Sequence, residues 1–279
     1  MYKAFSSSLL GFRDRSIKED VPLAVKYGYG GINFDIVRES KGDPGEFCAL
    51  LAEYNLVSGG FGLPVDYRNS QETFEADMQK LPAYCEFARK TGSTRCITWI
   101  IPWSDSLDYK ANFEQHRVRL TRVAKILEEY GIRFGLEFVG PPSARKGKKY
   151  EFIHNLDGVL ELIAAIGTSN MGLLMDVFHW DLAGQTYDDF KKIPDKSWVV
   201  MAHINDAVAG VPVDEQQDLS RELPGNTGIL KIADFLKGLS SLDYDGPVYV
   251  EPFSAQLKEM PFEKAVKAAK EAMDKVWLK

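Results

Sequence analysis

Four apolar segments of this sequence end in the same way, each with one side chain that can bind a metal ion. These four side chains are separated by 39, 27 and 48 residues, and each separation is close to the length of one strand-helix-strand unit. We therefore expect them at the carboxyl ends of four consecutive strands, the fifth to the eighth, where parallel barrels carry their active sites. The segments are Phe134-Gly-Leu-Glu137, Leu173-Leu-Met-Asp176, Val200-Met-Ala-His203 and Val248-Tyr-Val-Glu251.

Three carboxylates and one imidazole form a hard ligand set. Such a set suits one divalent ion, with Mn²⁺ as the first choice and Mg²⁺, Co²⁺ or Fe²⁺ as alternatives. Taken singly, each carboxylate could instead be a solvated rim residue or a helix N-cap. That alternative does not explain why four strands end in the same way. Glu137 and Glu251 also follow continuous apolar runs, so each would be a buried charge without a partner unless it bound a cation.

Further polar and aromatic residues fall near the same predicted strand ends. His179 lies three residues after Asp176, where it is either directed into the same cavity or a loop histidine satisfied by backbone. Aromatic faces can pack on the C–H face of a sugar, although aromatics at strand ends also belong to cores. From this group, Trp103 and Trp180 are predicted to contact substrate. The basic loop Pro141–Lys149 is interpreted as a solvated charge run, with attraction of an anionic substrate as the alternative.

Short apolar runs alternate with amphipathic stretches along the whole chain, as a parallel sheet with crossover helices requires. Eight such units favour a closed (β/α)8 TIM barrel of the α/β class over an open sheet. No Pro/Ser-rich linker or internal repeat divides the chain, so we predict a single catalytic domain over residues 1–279. The predicted strands are Ala4–Ser7, Gly31–Asp35, Val57–Gly60, Arg95–Trp99, Arg133–Phe138, Gly172–Asp176, Val199–Ile204 and Val248–Glu251.

Helical patterns separate the predicted strands, and several of them end at a glycine that can close the helix with a positive φ. The longest irregular segment, Ala207–Thr227, follows the seventh strand and is expected to overhang the catalytic face. The predicted helices are Gln71–Thr91, Asn112–Tyr130, Asp157–Ile166, Ile229–Leu239 and Pro261–Trp277.

Composition excludes several classes of protein. With 279 residues, 45% of them hydrophobic and 27% charged, the chain has the composition of an ordinary globular protein. A formal net charge of −6 provides no basic field for a phosphate backbone, so we expect a small-molecule partner and no nucleic acid. The sequence leaves the oligomeric state open, and a homo-oligomer is compatible with it.

The cellular location is also predicted from the sequence. No uncharged apolar run reaches the roughly 20 residues of a membrane span, and the N-terminal segment lacks a secretory apolar region. Cys48, Cys85 and Cys96 lack CxxC spacing and are interpreted as free thiols in a reducing compartment. We therefore expect a cytoplasmic protein with no membrane partner.

The motifs around these residues resemble the xylose-isomerase-like TIM barrels, a family of sugar phosphate isomerases and epimerases, near its inosose isomerase and ketose 3-epimerase groups. The resemblance runs nearly from end to end of the chain. It implies that the four strand-end residues bind the metal, that Glu137 and Glu251 also move protons, and that His179 contacts substrate. Its most specific segments are Gly135-Leu-Glu137-Phe-Val-Gly-Pro141, Gly172-Leu-Leu-Met-Asp176-Val-Phe-His179-Trp180, Ala202-His203-Ile-Asn-Asp206-Ala207, Arg221-Glu-Leu-Pro-Gly225 and Tyr244-Asp-Gly-Pro-Val-Tyr-Val-Glu251-Pro-Phe253.

One position departs from the ketose 3-epimerases, which carry a substrate-binding arginine six residues after the metal-binding histidine. This chain has Ala209 there, and we expect Arg221, from the long loop, to take its place as a substrate-binding residue. The departure favours inosose-like or oxidised sugars over free ketoses as substrates.

The predicted activity is that of a divalent-metal-dependent isomerase or epimerase acting on a sugar or inosose-like keto substrate. Glu137 and Glu251 would act as acid and base next to the carbonyl, while the metal stabilises the enediolate. Asp206 is expected to orient His203. The main alternative is a metal-dependent lyase of the same fold, either an inosose dehydratase or an enzyme that eliminates a group from a 3-keto-sugar.

Two more distant alternatives come from other classes. An AP endonuclease-like enzyme of this fold would need more histidine ligands than the four histidines of this chain provide. A non-catalytic sugar-binding protein would not need so many carboxylates at one site.

Overall fold

Eight parallel strands close into a barrel in the computed structural model, which describes residues 1–278. Each strand pairs with the next one along the chain, and the eighth pairs with the first at Tyr2 and Pro247. The predicted (β/α)8 architecture is confirmed. The barrel strands are β1 (Tyr2–Phe5), β2 (Gly31–Asn33), β3 (Val57–Gly62), β4 (Arg95–Ile100), β5 (Arg133–Phe138), β6 (Met171–Asp176), β7 (Val199–Ile204) and β8 (Pro247–Val250).

The strands lie where the sequence predicts them, with differences only at their ends. β5 and β7 have the predicted bounds, whereas β1 begins earlier than expected. β2 ends at Asn33 because Asp35 caps the helix that follows, its carboxylate accepting hydrogen bonds from two backbone N–H groups. β8 ends at Val250, so Glu251 lies just past the strand and not within it.

Helices surround the barrel, and one predicted helix is divided in two. The segment predicted as Gln71–Thr91 forms the helices Gln71–Met78 and Leu81–Lys90. Pro82 accounts for the division, because proline has no N–H group to donate inside a helix but is tolerated in a first turn. No helix within residues 1–278 has the length and apolar character that crossing a membrane requires. The α-helices are Ile17–Lys26, Ile36–Glu39, Pro44–Glu53, Gln71–Met78, Leu81–Lys90, Tyr109–Glu129, Leu156–Ile166, Val177–Leu182, Ile232–Ser241, Ala255–Glu259 and Phe262–Val276.

The connection after β7 has little regular structure, in agreement with the irregular segment predicted there. Its ordered features are a 3₁₀ turn at Val213–Glu215 and a backbone pair between Asp206 and Glu222. The two hydrogen bonds of that pair are both 2.8 Å long, and they return the second half of the loop to the mouth of the barrel. The other short elements are the antiparallel pair Trp103–Ser104 with Tyr150–Glu151 and the 3₁₀ helices Pro142–Ala144, Tyr187–Lys192 and Lys196–Trp198.

Side chains alternate along the strands between two apolar layers. On β8, Val248 and Val250 belong to the main core between the barrel and the helices. Tyr249, between them, packs inside the barrel with Leu174 of β6 and Met201 of β7. The interior of the barrel is therefore filled below its carboxyl end, and side chains beyond this inner layer are directed into the mouth.

Trp180 lies in the main core and does not reach the mouth of the barrel. Its side chain is 0% exposed, and its ring centroid lies 5.7 Å from that of Phe190 and 5.6 Å from that of Phe235. Successive residues of a helix are rotated by roughly 100°. Because of this rotation, His179 and Trp180 face different sides of the helix Val177–Leu182, and the predicted substrate contact of Trp180 is wrong.

This packing predicts a large loss of stability in Trp180→Ala. Removing a fully buried aromatic side chain leaves a cavity, and the free energy of unfolding should fall by about 3–5 kcal/mol in urea titrations. Trp99→Ala is the matched control, because Trp99 is 46% exposed and its removal should cost less than about 1 kcal/mol. Equal losses in the two variants would contradict the assignment of Trp180 to the core.

Candidate metal centre

The mouth of the barrel brings together the side chains of Glu137, Asp176, His203 and Glu251. One potential ligand atom from each residue lies within 4.8 Å of the others, and all four residues are buried. They leave the carboxyl ends of the four consecutive strands β5 to β8. The placement expected from the sequence is therefore present, while the metal-binding role of these residues stays a prediction.

The two-residue period of the strands explains why these side chains converge. Three residues of the inner apolar layer are each followed, two positions later, by a member of the cluster. The strand thus directs the second side chain to the same interior face as the first. The three pairs are Leu174 and Asp176, Met201 and His203, and Tyr249 and Glu251.

Two buried atoms of the cluster have no hydrogen-bond partner within residues 1–278. They are Oε1 of Glu137 and Nε2 of His203. Burying such atoms unpaired costs free energy, and a bound cation would supply the missing partner. Three carboxylates and one imidazole are also the donor set that Mn²⁺ and related divalent ions accept. The residues present therefore fit a divalent metal ion.

Glu137 and Asp176 have opposite pKa shifts although both are buried. Burial, followed by the charges of Glu251 and Asp176, raises the pKa of Glu137 well above its usual range. Burial also opposes ionisation of Asp176, but Arg221 and the two nearby histidines outweigh it and lower the pKa of Asp176 to about 2. Without a metal ion, the cluster therefore keeps a proton on Glu137 and a charge on Asp176.

Arg221 is a cation that the chain itself brings to this cluster. Its Nη1 donates hydrogen bonds to Oδ2 of Asp176 at 2.9 Å and to Oε2 of Glu251 at 3.2 Å. Its Nη2 donates to Oδ1 of Asp218 at 2.6 Å, and the guanidinium lies over two aromatic rings. The sequence predicts Arg221 at the site, and the structure brings it there. Its contact with substrate remains a prediction.

Asp206 supports the loop that carries Arg221 and does not contact His203. Its carboxylate accepts hydrogen bonds from the backbone N–H groups of residues 227–230, at 2.8–3.2 Å. The prediction that Asp206 orients His203 is wrong, because residues an odd number of positions apart face opposite sides of an extended chain. Asp206 thus anchors the loop on the outer side while His203 faces the interior.

Two residues of the site were missed by the sequence analysis. Asn205 lies two positions after His203, and its Nδ2 donates to both carboxylate oxygens of Asp176, at 3.1 and 3.2 Å. The strand period was a signal that could have identified it. Asp218, which pairs with Arg221, lies in an irregular loop where no periodicity indicates its direction.

His179 faces the same cavity. Its Nε2 lies 3.1 Å from Nη2 of Arg221 and 4.0 Å from Oε1 of Glu137. The backbone N–H of Gly140 donates to Nδ1 at 3.3 Å, and only glycine allows this approach, because a Cβ there would lie 2.0 Å from the carbonyl oxygen of His179. Burial, followed by the charge of Arg221, lowers the pKa of His179. The neutral imidazole is therefore favoured at this position.

A cavity of about 530 Å³ opens at the cluster. Its lining includes Glu137, His179, His203, Arg221 and Glu251.

Trp103 is not part of this lining. It pairs with Glu151 in the short antiparallel pair, and the amine of Lys148 lies 3.5 Å over its ring. The structure thus does not bring Trp103 to the metal cavity with the other predicted residues, and its contact with substrate stays a prediction. In the basic loop, Arg145 donates to the carbonyl oxygen of Gly140, so at least this charge holds the loop in place.

Comparisons with known proteins agree with the barrel and with the family resemblance. A family model described as xylose isomerase-like TIM barrel matches residues 21–279. An inosose isomerase of Bacillus velezensis is 28% identical over 269 residues, which are 94% of this chain and 92% of that protein. An inosose isomerase of Halalkalibacterium halodurans is 30% identical over 152 residues, 54% of this chain and 50% of that protein. The match to this second relative thus spans half of its length.

Solved structures share the fold over nearly the whole chain. A xylose isomerase domain protein of Alicyclobacillus acidocaldarius has a TM-score of 0.87 at 26% identity, covering 99% of this chain and 98% of its own. An IolI protein with a bound zinc atom has a TM-score of 0.81 at 20% identity, with 99% and 98% covered. A D-psicose 3-epimerase of Clostridium cellulolyticum has a TM-score of 0.75 at 14% identity, with 99% and 98% covered. At these identities, the last two show the fold alone.

The raised pKa of Glu137 predicts a pH-dependent stability of the metal-free protein. A carboxyl group whose pKa is higher in the folded chain than in the unfolded chain stabilises the fold while it is protonated, and this contribution is lost as pH rises through the folded pKa. In EDTA, the free energy of unfolding of the wild type should therefore fall, relative to that of Glu137→Gln, as pH rises above the usual value of 4.5. Urea unfolding of both proteins from about pH 5 to 8 measures this difference. A difference that is constant with pH would contradict the raised pKa.

Proposed function

The chain belongs to the xylose isomerase-like TIM barrel family, and on that premise we propose that it is a divalent-metal-dependent isomerase or epimerase of a sugar or inosose-like keto substrate. The observation that carries the proposal is the buried cluster of Glu137, Asp176, His203 and Glu251 at an open cavity. Relatives named inosose isomerases and a structural neighbour named D-psicose 3-epimerase support a carbohydrate substrate. We extend the proposal to residues 1–279 as one catalytic domain.

The four cluster residues would hold one divalent metal ion, which when bound supplies positive charge to stabilise developing negative charge on the substrate's oxygens. Mn²⁺ is the first choice for this oxygen-rich donor set, with Mg²⁺, Co²⁺ and Fe²⁺ as alternatives. The zinc atom of the IolI neighbour adds Zn²⁺ to the ions worth testing.

Glu137 and Glu251 would move the proton at the carbon next to the carbonyl. They leave the different strands β5 and β8, and both line the cavity. Their surroundings differ, because Oε2 of Glu251 is contacted by Arg221 and His203, whereas Oε1 of Glu137 has no hydrogen-bond partner within residues 1–278. Two carboxyl groups in unequal surroundings are suited to the separate roles of acid and base.

His179 and Arg221 would bind the substrate beside the two glutamates. Their nitrogen atoms lie 3.1 Å apart, so both could contact the same region of a sugar. The ion pair with Asp218 and the hydrogen bond to Asp176 hold the guanidinium in one orientation before substrate arrives. A lyase would use the same base and the same contacts, so product analysis separates it from an isomerase or epimerase.

We predict that one divalent ion binds per chain and that Asp176→Ala and His203→Ala each remove it. Losing one ligand weakens the site and leaves the remaining buried charges uncompensated. Elemental analysis after Mn²⁺ loading and desalting measures occupancy. Asp188→Ala and His154→Ala are matched controls outside the cluster and should keep the ion. Full occupancy in folded Asp176→Ala and His203→Ala would refute the ligand set.

Proton transfer is tested by deuterium exchange in D₂O, after screening ketoses, inososes and 3-keto-sugars by NMR. The wild type should incorporate deuterium next to the carbonyl of a substrate that it turns over. Glutamine keeps the size and one ligand oxygen of glutamate but cannot act as a carboxylate base. Turnover in Glu137→Gln and Glu251→Gln should therefore fall by about 10²–10⁴-fold. Deuterium exchange should stop completely in the variant that lacks the abstracting base. Undiminished exchange in both variants would refute the two-glutamate mechanism.

A further inference from the structure

A second cavity adjoins the cavity of the metal cluster at the carboxyl ends of β3 and β4. Its volume is about 620 Å³, and we call it the outer cavity. Leu63, Arg68 and Trp99 line both cavities, so the two share a wall. None of the four cluster residues lines the outer cavity, so neither metal binding nor proton transfer explains it.

The lining of the outer cavity has the chemistry of a carbohydrate site. Trp99 is 46% exposed with Arg68 stacked over one face of its ring, and an aromatic face that is left open can pack on the C–H face of a sugar ring. Asp66, Asn69 and Asp77 also line it, and although Asn69 donates to Asp66 at 2.9 Å and Asp77 accepts from the N–H group of Asp66 at 3.1 Å, each carboxylate oxygen can accept a further hydrogen bond from a hydroxyl group. Because Lys80 pairs with Asp77 at 3.1 Å, Asp66 balances the charge of Arg68, and the lining favours a neutral polyhydroxylated ring over a phosphate.

The wall of the outer cavity is held rigidly in place. The buried Arg119 donates hydrogen bonds of 2.7 Å to the carbonyl oxygens of both Tyr67 and Asn69. Asp66 caps its own turn by accepting from the N–H group of Arg68 at 3.0 Å. The guanidinium of Arg68 lies 4.1 Å from the ring centroid of Trp99 and donates to the carbonyl oxygen of that residue. A surface ordered in this way binds a ligand at a lower entropic cost than a mobile loop would.

We propose that the outer cavity is a subsite for a second sugar ring, so that the substrate class is a glycoside or disaccharide of a keto-sugar. The keto ring lies at Glu137 and Glu251, and the second ring packs on Trp99. The position of the keto ring rests on the proposed function, whereas the second-ring subsite rests on the outer cavity itself. Each cavity alone is within the range of about 300–1,000 Å³ that is common for small-ligand sites, so a single ring leaves one of them empty.

The test compares one-ring and two-ring probes on the Mg²⁺-loaded protein by calorimetry and tryptophan fluorescence. The probes are 3-ketoglucose and the 3-keto forms of trehalose, maltose and cellobiose. At least one two-ring probe should bind about tenfold more tightly than 3-ketoglucose, since a stacked ring adds roughly this much. Trp99→Ala should reduce the two-ring advantage to within about twofold, and Trp99→Phe should retain most of it.

Two further variants keep the test independent of Trp99. Ile101→Trp fills the outer cavity from a residue that does not line the metal cavity, and it should also remove the advantage. Trp103→Ala removes an indole that lines neither cavity, and this variant should keep the two-ring advantage. Equal affinity for one-ring and all two-ring probes in the wild type would overturn the subsite. So would an equal loss of one-ring and two-ring binding in Trp99→Ala, because Trp99 would then serve the metal cavity alone.

Binding and turnover separate the two proposals. A two-ring advantage that depends on Trp99, without deuterium exchange into any probe, supports the subsite and counts against the proposed isomerisation. Exchange into 3-ketoglucose without a two-ring advantage supports the isomerisation and overturns the subsite.

Discussion

Balancing negative charge at the mouth of the barrel is the constraint on which the rest of the site depends. Three carboxylates and one imidazole place ligand atoms within 4.8 Å of one another in a buried position. Several like charges at this distance cannot all ionise without a compensating cation. In the structure, the pKa of Glu137 is raised, and Arg221 lies among the carboxylates. Oε1 of Glu137 and Nε2 of His203 have lone pairs that can bind a metal ion. The electrostatics that favour cation binding also keep a proton on Glu137 and a charge on Asp176 in the metal-free protein.

The loop after β7 places Arg221 in the cluster and holds it there. A buried guanidinium is stable only when its donors find partners, and Asp176, Glu251 and Asp218 provide them. Asp206 in turn fixes the loop through the N–H groups of residues 227–230. Asp206, which does not contact the cluster, thus helps to hold the loop that carries Arg221. This gives an irregular segment the positional accuracy that catalysis and binding require.

Three tryptophans from the segments near the mouth lie in three different parts of the structure. Trp180 belongs to the helix shell, Trp103 to the short antiparallel pair, and Trp99 to the wall between two cavities. Of these, only Trp99 leaves a large part of its ring open to a ligand. The barrel therefore opens into two adjoining cavities, one at the charged cluster and one beside this aromatic wall.

The sequence by itself determined the barrel, the order of its strands and the four strand-end residues, because all of these follow from periodicity. Each apolar run that ends in a ligand-type side chain marks the end of a buried strand, and separations of about one strand-helix-strand unit predict neighbouring strand ends for Glu137, Asp176, His203 and Glu251. The break at Pro82 and the cap at Asp35 also follow from residue type and local position alone.

Tertiary structure alone decided where the other side chains lie. Trp103 and Trp180 could not be separated from Trp99 by type or spacing, since burial depends on which neighbours cover a ring. Asp218 and the anchoring role of Asp206 depend on the path of a loop that has no period. Contacts between residues far apart in the chain are set by packing of the whole molecule, and no local pattern encodes them.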